Sequence, residues 1–151
     1  MPFHSLVVTN LSGSVLFSKY YCGSYKETSP RNIEYEHQLL KYSASLWQGA
    51  ESKRSISVDK NIFVVFQKCG ELMIFLAGFD EIDEPILTDV LALIIMLMTD
   101  QLDGRRTESS FLNSETYGKF QVILEEVMPN GILETIDVDV ISKMSKLKNV
   151  G

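Results

Sequence analysis

The stretch from Pro85 to Leu102, PILTDVLALIIMLMTDQL, limits what this chain can fold into more than any other. Its centre, Val90 to Met98, is an unbroken apolar run. A helix that is apolar on every side cannot lie on a wet surface, so the run predicts a helix buried at the centre of a core. A membrane span needs roughly 18 or more apolar residues, whereas this run is bracketed by Asp89 and Asp100 and is about half as long. Pro85 suits the first helical position, Asp83 or Glu84 can cap the open amides there, and Gly104 follows the far end. Each Leu, Ile or Met buried is worth about 1.5–3 kcal/mol, so the neighbouring elements must offer an apolar surface to receive it.

Those elements can be read along the chain. Leu6 to Val8 and Val15 to Phe17, the second run continuing to Tyr20 and Tyr21, are β-rich and joined by the turn-forming Asn10-Leu11-Ser12-Gly13, which predicts a hairpin. Ser29-Pro30 opens an amphipathic helix that runs to Trp47, with Ile33, Leu39, Leu40, Leu46 and Trp47 on its apolar side, and Gly49 ends it. After a polar connector, Ala50 to Arg54, three strands follow: Ser55 to Val58, Asn61 to Lys68 and Leu72 to Gly78. The last two are nearly continuous in apolar residues, the pattern of strands covered on both faces.

Beyond the central helix, residues 102–110 read as a loop. Asn113-Ser114-Glu115 opens a helix whose Tyr117, Phe120, Leu124, Val127 and Met128 share one face. Pro129-Asn130-Gly131 stops it, and Asp137 caps a last helix carrying Val138, Ile141, Met144 and Leu147, with Lys143, Lys146 and Lys148 near its negative pole. The fold class is therefore α/β of the α+β kind, a five-stranded, mainly antiparallel sheet sandwiched between helices. With 151 residues, 45% of them hydrophobic, and no linker or repeat, residues 1–151 read as one domain.

A net charge of −6 opposes a non-specific grip on nucleic acid or on anionic lipid. Cys22 and Cys69 fit no metal motif; they leave open one bridge or two thiols kept reduced in the cytosol. The N-terminus has neither a basic region nor an apolar stretch of signal-peptide length. Converging chemical groups are scarce. Cys22 and His37 lack a nucleophile turn, His4 falls in the first strand, the acidic run from Asp80 to Glu84 lacks the ligand spacing of a calcium loop, and Gly13 and Gly70 belong to hairpin turns rather than a phosphate loop. No catalytic residue, metal, cofactor or small-molecule substrate is implied. Two basic pairs, Lys53-Arg54 and Arg105-Arg106, are wet loop residues or contacts for lipid or phosphopeptide.

Two phrases carry a resemblance. Val15-Leu16-Phe17-Ser18-Lys19-Tyr20-Tyr21 resembles the second-strand signature of the small chains of heterotetrameric vesicle coats, the sigma chains of clathrin adaptors and the zeta chain of coatomer. Glu125-Glu126-Val127-Met128-Pro129-Asn130-Gly131-Ile132-Leu133-Glu134-Thr135 resembles the closing pattern of the zeta type. The stretch from Gly104 to Asn113 departs from both patterns, as the small chain of the TSET complex, known in plants as the TPLATE complex, would. The resemblance implies a longin-like (SNARE-like) domain in a non-catalytic small subunit. That subunit would stabilise a large helical-solenoid chain at its N-terminal trunk, with a medium chain in the same complex. It implies vesicle-mediated transport in the cytoplasm, peripheral on membranes and reaching them only through the complex. TSET-type endocytosis at clathrin-coated pits is favoured over coatomer zeta in Golgi-to-endoplasmic-reticulum return, and over a longin module of a tethering complex or GTPase exchange factor. No motif carries over the dileucine pocket of some sigma chains.

The first long helix supplies the candidate partner face. Leu39, Tyr42, Leu46 and Trp47 lie on and beside its apolar side, more surface than one narrow stripe against a small sheet requires. Aromatic side chains are the usual anchors of such interfaces, although the same residues would also serve as core.

Overall fold

The structure is a computed structural model, and it describes residues 3–21, 30–59, 61–79, 82–102 and 105–127. Five strands, β1 (Phe3–Asn10), β2 (Val15–Tyr20), β3 (Arg54–Asp59), β4 (Ile62–Cys69) and β5 (Leu72–Phe79), form one sheet in the order β2-β1-β5-β4-β3. All four pairings are antiparallel. The centre of the sheet is thus made by the most apolar strands, β5 and its neighbours, because a central strand has both faces covered. β5 is buried from Leu72 to Gly78.

Turn chemistry sets the hairpin registers. The Asn10 side-chain oxygen accepts hydrogen bonds from the Ser12 and Ser14 amides, at 3.0 and 2.9 Å, and Gly13 takes φ +92, which an L side chain rarely adopts. At the start of β1 the register against β5 slips between Phe3 and Ser5. Such a bulge breaks the two-residue alternation. Its consequence is that His4 and Ser5 both reach the same face of the sheet, where the Ser5 hydroxyl lies 3.0 Å from that of Tyr35 and 2.9 Å from His4 Nδ1.

One face of the sheet receives α1 (Pro30–Ser43). Here the structure corrects the predicted helix. Its buried row is Asn32, Tyr35, Leu39 and Ser43, at offsets of three, four and four residues, while Ile33 points to solvent at 59% exposure. The helix also stops at Ser43 instead of running to Trp47; a single 3-10 turn, Ala44–Leu46, follows it. The Ser43 hydroxyl accepts the Trp47 indole N–H at 2.9 Å and leans back on the Leu40 carbonyl at 3.4 Å, which tightens the last turn. Gly49, at φ +84, then reverses the chain.

The other face receives α2 (Glu84–Gln101) and α4 (Ser114–Val127). α2 buries Leu87, Val90, Leu91, Leu93, Ile94, Leu97 and Met98 against Leu6, Val8, Val65, Ile74 and Leu76 of the sheet. It is not enclosed on every side, as its uniform composition predicts: Ile86 and Met96 are 39% and 40% exposed and Ala92 is exposed. A helix lying on one face of a sheet keeps an outward side whatever residues it carries. Pro85 stands within the first turn, after Asp83 in extended backbone.

The segment read as a loop after α2 contains a one-turn helix, α3 (Glu108–Phe111), whose Ser110 amide is capped by the Thr107 hydroxyl at 3.2 Å. Asn113 caps α4 in turn, its side-chain oxygen accepting the Glu115 amide at 3.1 Å. Phe111 and α4's Tyr117 and Phe120 then close an aromatic cluster, with Phe17 of β2 edge-on to Tyr117 and Phe120 at centroid distances of 5.6 and 5.5 Å. The predicted last helix, Met128, Cys22 and Gly104 lie outside the described residues.

Candidate partner-binding face

The four predicted anchors separate into two kinds. Leu39 is 0% exposed, inside the core between α1 and the sheet, so its whole surface is used within the chain. This is a correction of its role: it is a core residue, and it cannot touch a second protein. Tyr42, one position outside the buried row, is 47% exposed. Leu46 and Trp47 are half buried at the margin of the same core. The Trp47 ring tilts over Phe75 at 6.3 Å, and its indole N–H is held by Ser43, so the residue is fixed in one orientation.

The sheet extends this margin. β3 is the outermost strand on its side among the described residues, and its Ile56 and Val58 are half buried beside Leu46 and Trp47 in the same cluster. The alternation Ile56-Ser57-Val58 signals a one-sided strand, but only the strand order shows that it lies at the rim. Leu46, Trp47, Ile56 and Val58 thus give an apolar border along one side of the molecule, and Tyr42 is exposed on the last turn of α1 that leads into it.

The basic residues do not converge. The Lys53 ammonium pairs with a Glu84 carboxylate oxygen at 2.8 Å, at the start of α2. Arg54 begins β3 and lays its guanidinium where a side chain on Gly49 would stand. Arg105 and Arg106 follow the other end of α2, about 27 Å away along that helix. Arg106 serves structure through its backbone: its carbonyl accepts the Glu71 amide at 2.8 Å, clamping the β4–β5 turn. Both arginine side chains remain exposed.

Of the groups weighed for chemistry, His4 is buried among Ser5, Tyr20, Tyr35 and Phe79. His37 lies on the exposed side of α1. Tyr20 donates its hydroxyl proton to Glu36, which ties α1 to β2. Burial, helped by the nearby Glu125 charge, raises the Tyr21 pKa far above the usual tyrosine value, and burial raises that of Tyr117 as well. Among the described residues no three His, Cys, Asp or Glu side chains are grouped to hold a metal ion, and no helix is long and apolar enough to cross a membrane.

No family profile matches the sequence. The chain is 32% identical over 148 residues to TSET complex member tstD of Dictyostelium discoideum, a match covering 97% of this chain and 93% of that one. Among solved structures it resembles a chain in a homology model of the full-length AP-3 complex in a stretched open conformation. That likeness has a TM-score of 0.66 and 14% identity, covers 98% of this chain and 94% of the other, and carries the fold alone. Similarity of that degree to tstD, running almost end to end, places this chain in the family of TSET complex member tstD.

Proposed function

We propose that this chain is the small subunit of a TSET-type coat, and that it acts by stabilising a large subunit rather than by catalysis. The observation that carries the reading is the end-to-end likeness to a TSET complex member, 32% identical over 97% of the chain. The large subunit would be a helical solenoid gripped at its N-terminal trunk, with a medium chain in the same assembly. The apolar border of Leu46, Trp47, Ile56 and Val58, with the exposed Tyr42, is the surface this chain offers to the trunk, because an aromatic side chain held in place before binding, as Trp47 is by Ser43, loses little freedom on docking. The chain would act in the cytoplasm, in vesicle-mediated transport at the plasma membrane, meeting lipid only through its complex.

The test is a pull-down of the tagged full chain from its own cells, with mass spectrometry of the proteins retained in high salt. Recovery of a TSET large chain together with a medium chain is the expected result. Recovery of the coatomer large chain would reassign the coat to Golgi return traffic. A small GTPase or tethering subunits in their place would overturn the coat reading while leaving the fold intact.

A further inference from the structure

The segment Arg105-Arg106-Thr107-Glu108-Ser109-Ser110 places three hydroxyls behind two arginines, and the fold gives the three different surroundings. The Thr107 hydroxyl is half buried and caps α3: it accepts the Ser110 amide at 3.2 Å and donates to the Ser110 hydroxyl at 2.8 Å. Ser110, which receives that second bond, is half buried as well. Ser109 is exposed, and among the described residues its hydroxyl makes only a long approach of 3.4 Å to Thr107 Oγ1. One hydroxyl of the three is therefore left open to a reagent from outside.

The arginines precede Ser109 by four and three residues. Both are exposed, and among the described residues neither guanidinium is paired with a carboxylate. Arg106 is fixed at its root, since its carbonyl accepts the Glu71 amide at 2.8 Å and its Cβ fills the place a side chain on Gly70 would take. Kinases choose substrates by charge pattern, and a cleft lined with carboxylates reads arginines at this distance before the accepting hydroxyl. The substrate must enter such a cleft extended. Residues 105–107 lie outside any helix, and α3 is a single turn, too short to hold itself helical. Unwinding it gives up the Phe111 and Leu112 amide bonds to the Thr107 and Glu108 carbonyls together with the Thr107 cap, a local opening that leaves the sheet intact.

We propose that Ser109 is a phosphorylation site for a basophilic protein kinase that reads Arg106 and Arg105. Ser109 Oγ bonds to the terminal phosphorus of a nucleoside triphosphate and the bond from that phosphorus to the bridging oxygen breaks. The nucleoside diphosphate leaves, and the hydroxyl proton passes to the kinase's base. The product carries about −1.5 to −2 charge at neutral pH. That charge arrives one residue from Glu108, whose amide is held by the Glu71 carboxylate at 2.9 Å and whose carboxylate accepts the Asn10 amide at 3.3 Å. The modification thus falls on the joint between α3 and the β1–β2 and β4–β5 turns, away from the border of Trp47 and Ile56.

The test incubates the full chain with ATP and a calmodulin-dependent protein kinase, an enzyme that takes substrates with arginine three residues before the acceptor, and maps the phosphate by mass spectrometry. Phosphate is expected on Ser109 and is lost in Ser109→Ala. Arg106→Ala, which keeps the Cβ and carbonyl that hold the turn, should slow incorporation about tenfold, as the loss of one charge-assisted contact would. A peptide of residues 103–113, run alongside, separates recognition from access. Phosphate on the peptide but not on the folded chain would overturn the proposal, because the fold would then withhold the hydroxyl. No phosphate on either, phosphate on Thr107 or Ser110 in place of Ser109, or a rate indifferent to Arg106 would overturn it as well. The chain purified from its own cells with phosphatase inhibitors should carry the same phosphopeptide, and its absence across growth conditions would count equally against the site.

Discussion

The Ser5 hydroxyl stands 3.0 Å from the Tyr35 hydroxyl, and this contact joins the first strand to the first helix inside the core. Ser5 faces α1 by ordinary alternation with Val7, and the bulge in β1 brings His4 to the same face beside it. Ser5→Ala removes an oxygen shared by His4 and Tyr35 at a site without solvent access. The expected cost is about 1–3 kcal/mol in urea denaturation. An unchanged midpoint would show that the contact adds no net stability.

Two glycines should respond in opposite directions to alanine. Gly70 sits at φ +63 in the β4–β5 turn, and a Cβ there would overlap the Cβ and carbonyl oxygen of Arg106. Gly70→Ala is therefore expected to lower the melting temperature and to free the 105–108 segment in hydrogen exchange. Gly118 lies within α4, and a Cβ there meets nothing within 4 Å. Gly118→Ala should stabilise by about 0.5–1 kcal/mol, because alanine loses less backbone freedom on entering a helix.

Alkaline pH should unfold this protein through Tyr21. Its hydroxyl is buried without a hydrogen-bond partner among the described residues, and desolvation, followed by the Glu125 charge, raises its pKa above the ordinary value of 10.0. The unfolded chain then releases the proton more readily than the folded one, so stability is full below pH 10 and falls as pH rises beyond it. The loss approaches about 1.4 kcal/mol per pH unit. Tyr21→Phe should be near-neutral at pH 7 and should flatten the decline, as read by denaturation at pH 8 and pH 11.

Core and border residues of α1 should part under mutation. Leu39→Ala opens a cavity in the core and should cost about 2–5 kcal/mol. Tyr42→Ala, at an exposed position, should leave the urea midpoint within about 0.5 kcal/mol of the parent, yet weaken retention of the large subunit in the pull-down. A folded Tyr42→Ala, Trp47→Ala protein that retains the large subunit undiminished would remove the border from the interface.

The sequence carried the elements themselves, because their causes are local. Period-two and continuous apolar runs mark β1 to β5, Asn10 and Gly13 mark a turn whose backbone only certain residues favour, and Pro85 with Asp83 marks the entry to α2. Two phrases, around Phe17 and Glu125, were enough to suggest the coat family. Tertiary structure alone decided what each side chain does. Ile33 and Leu39 read as one apolar face, yet one is in water and the other in the core, since the burial row depends on how α1 rolls onto the sheet. Glu36 lies off the buried row of α1, yet it receives the Tyr20 hydroxyl from another element. α2 reads as enclosed and keeps an outward row, because composition states how apolar a helix is but not how many neighbours surround it. The strand order made β3 the rim and brought Ile56 and Val58 beside Trp47; that is a long-range pairing, and no local pattern contains it.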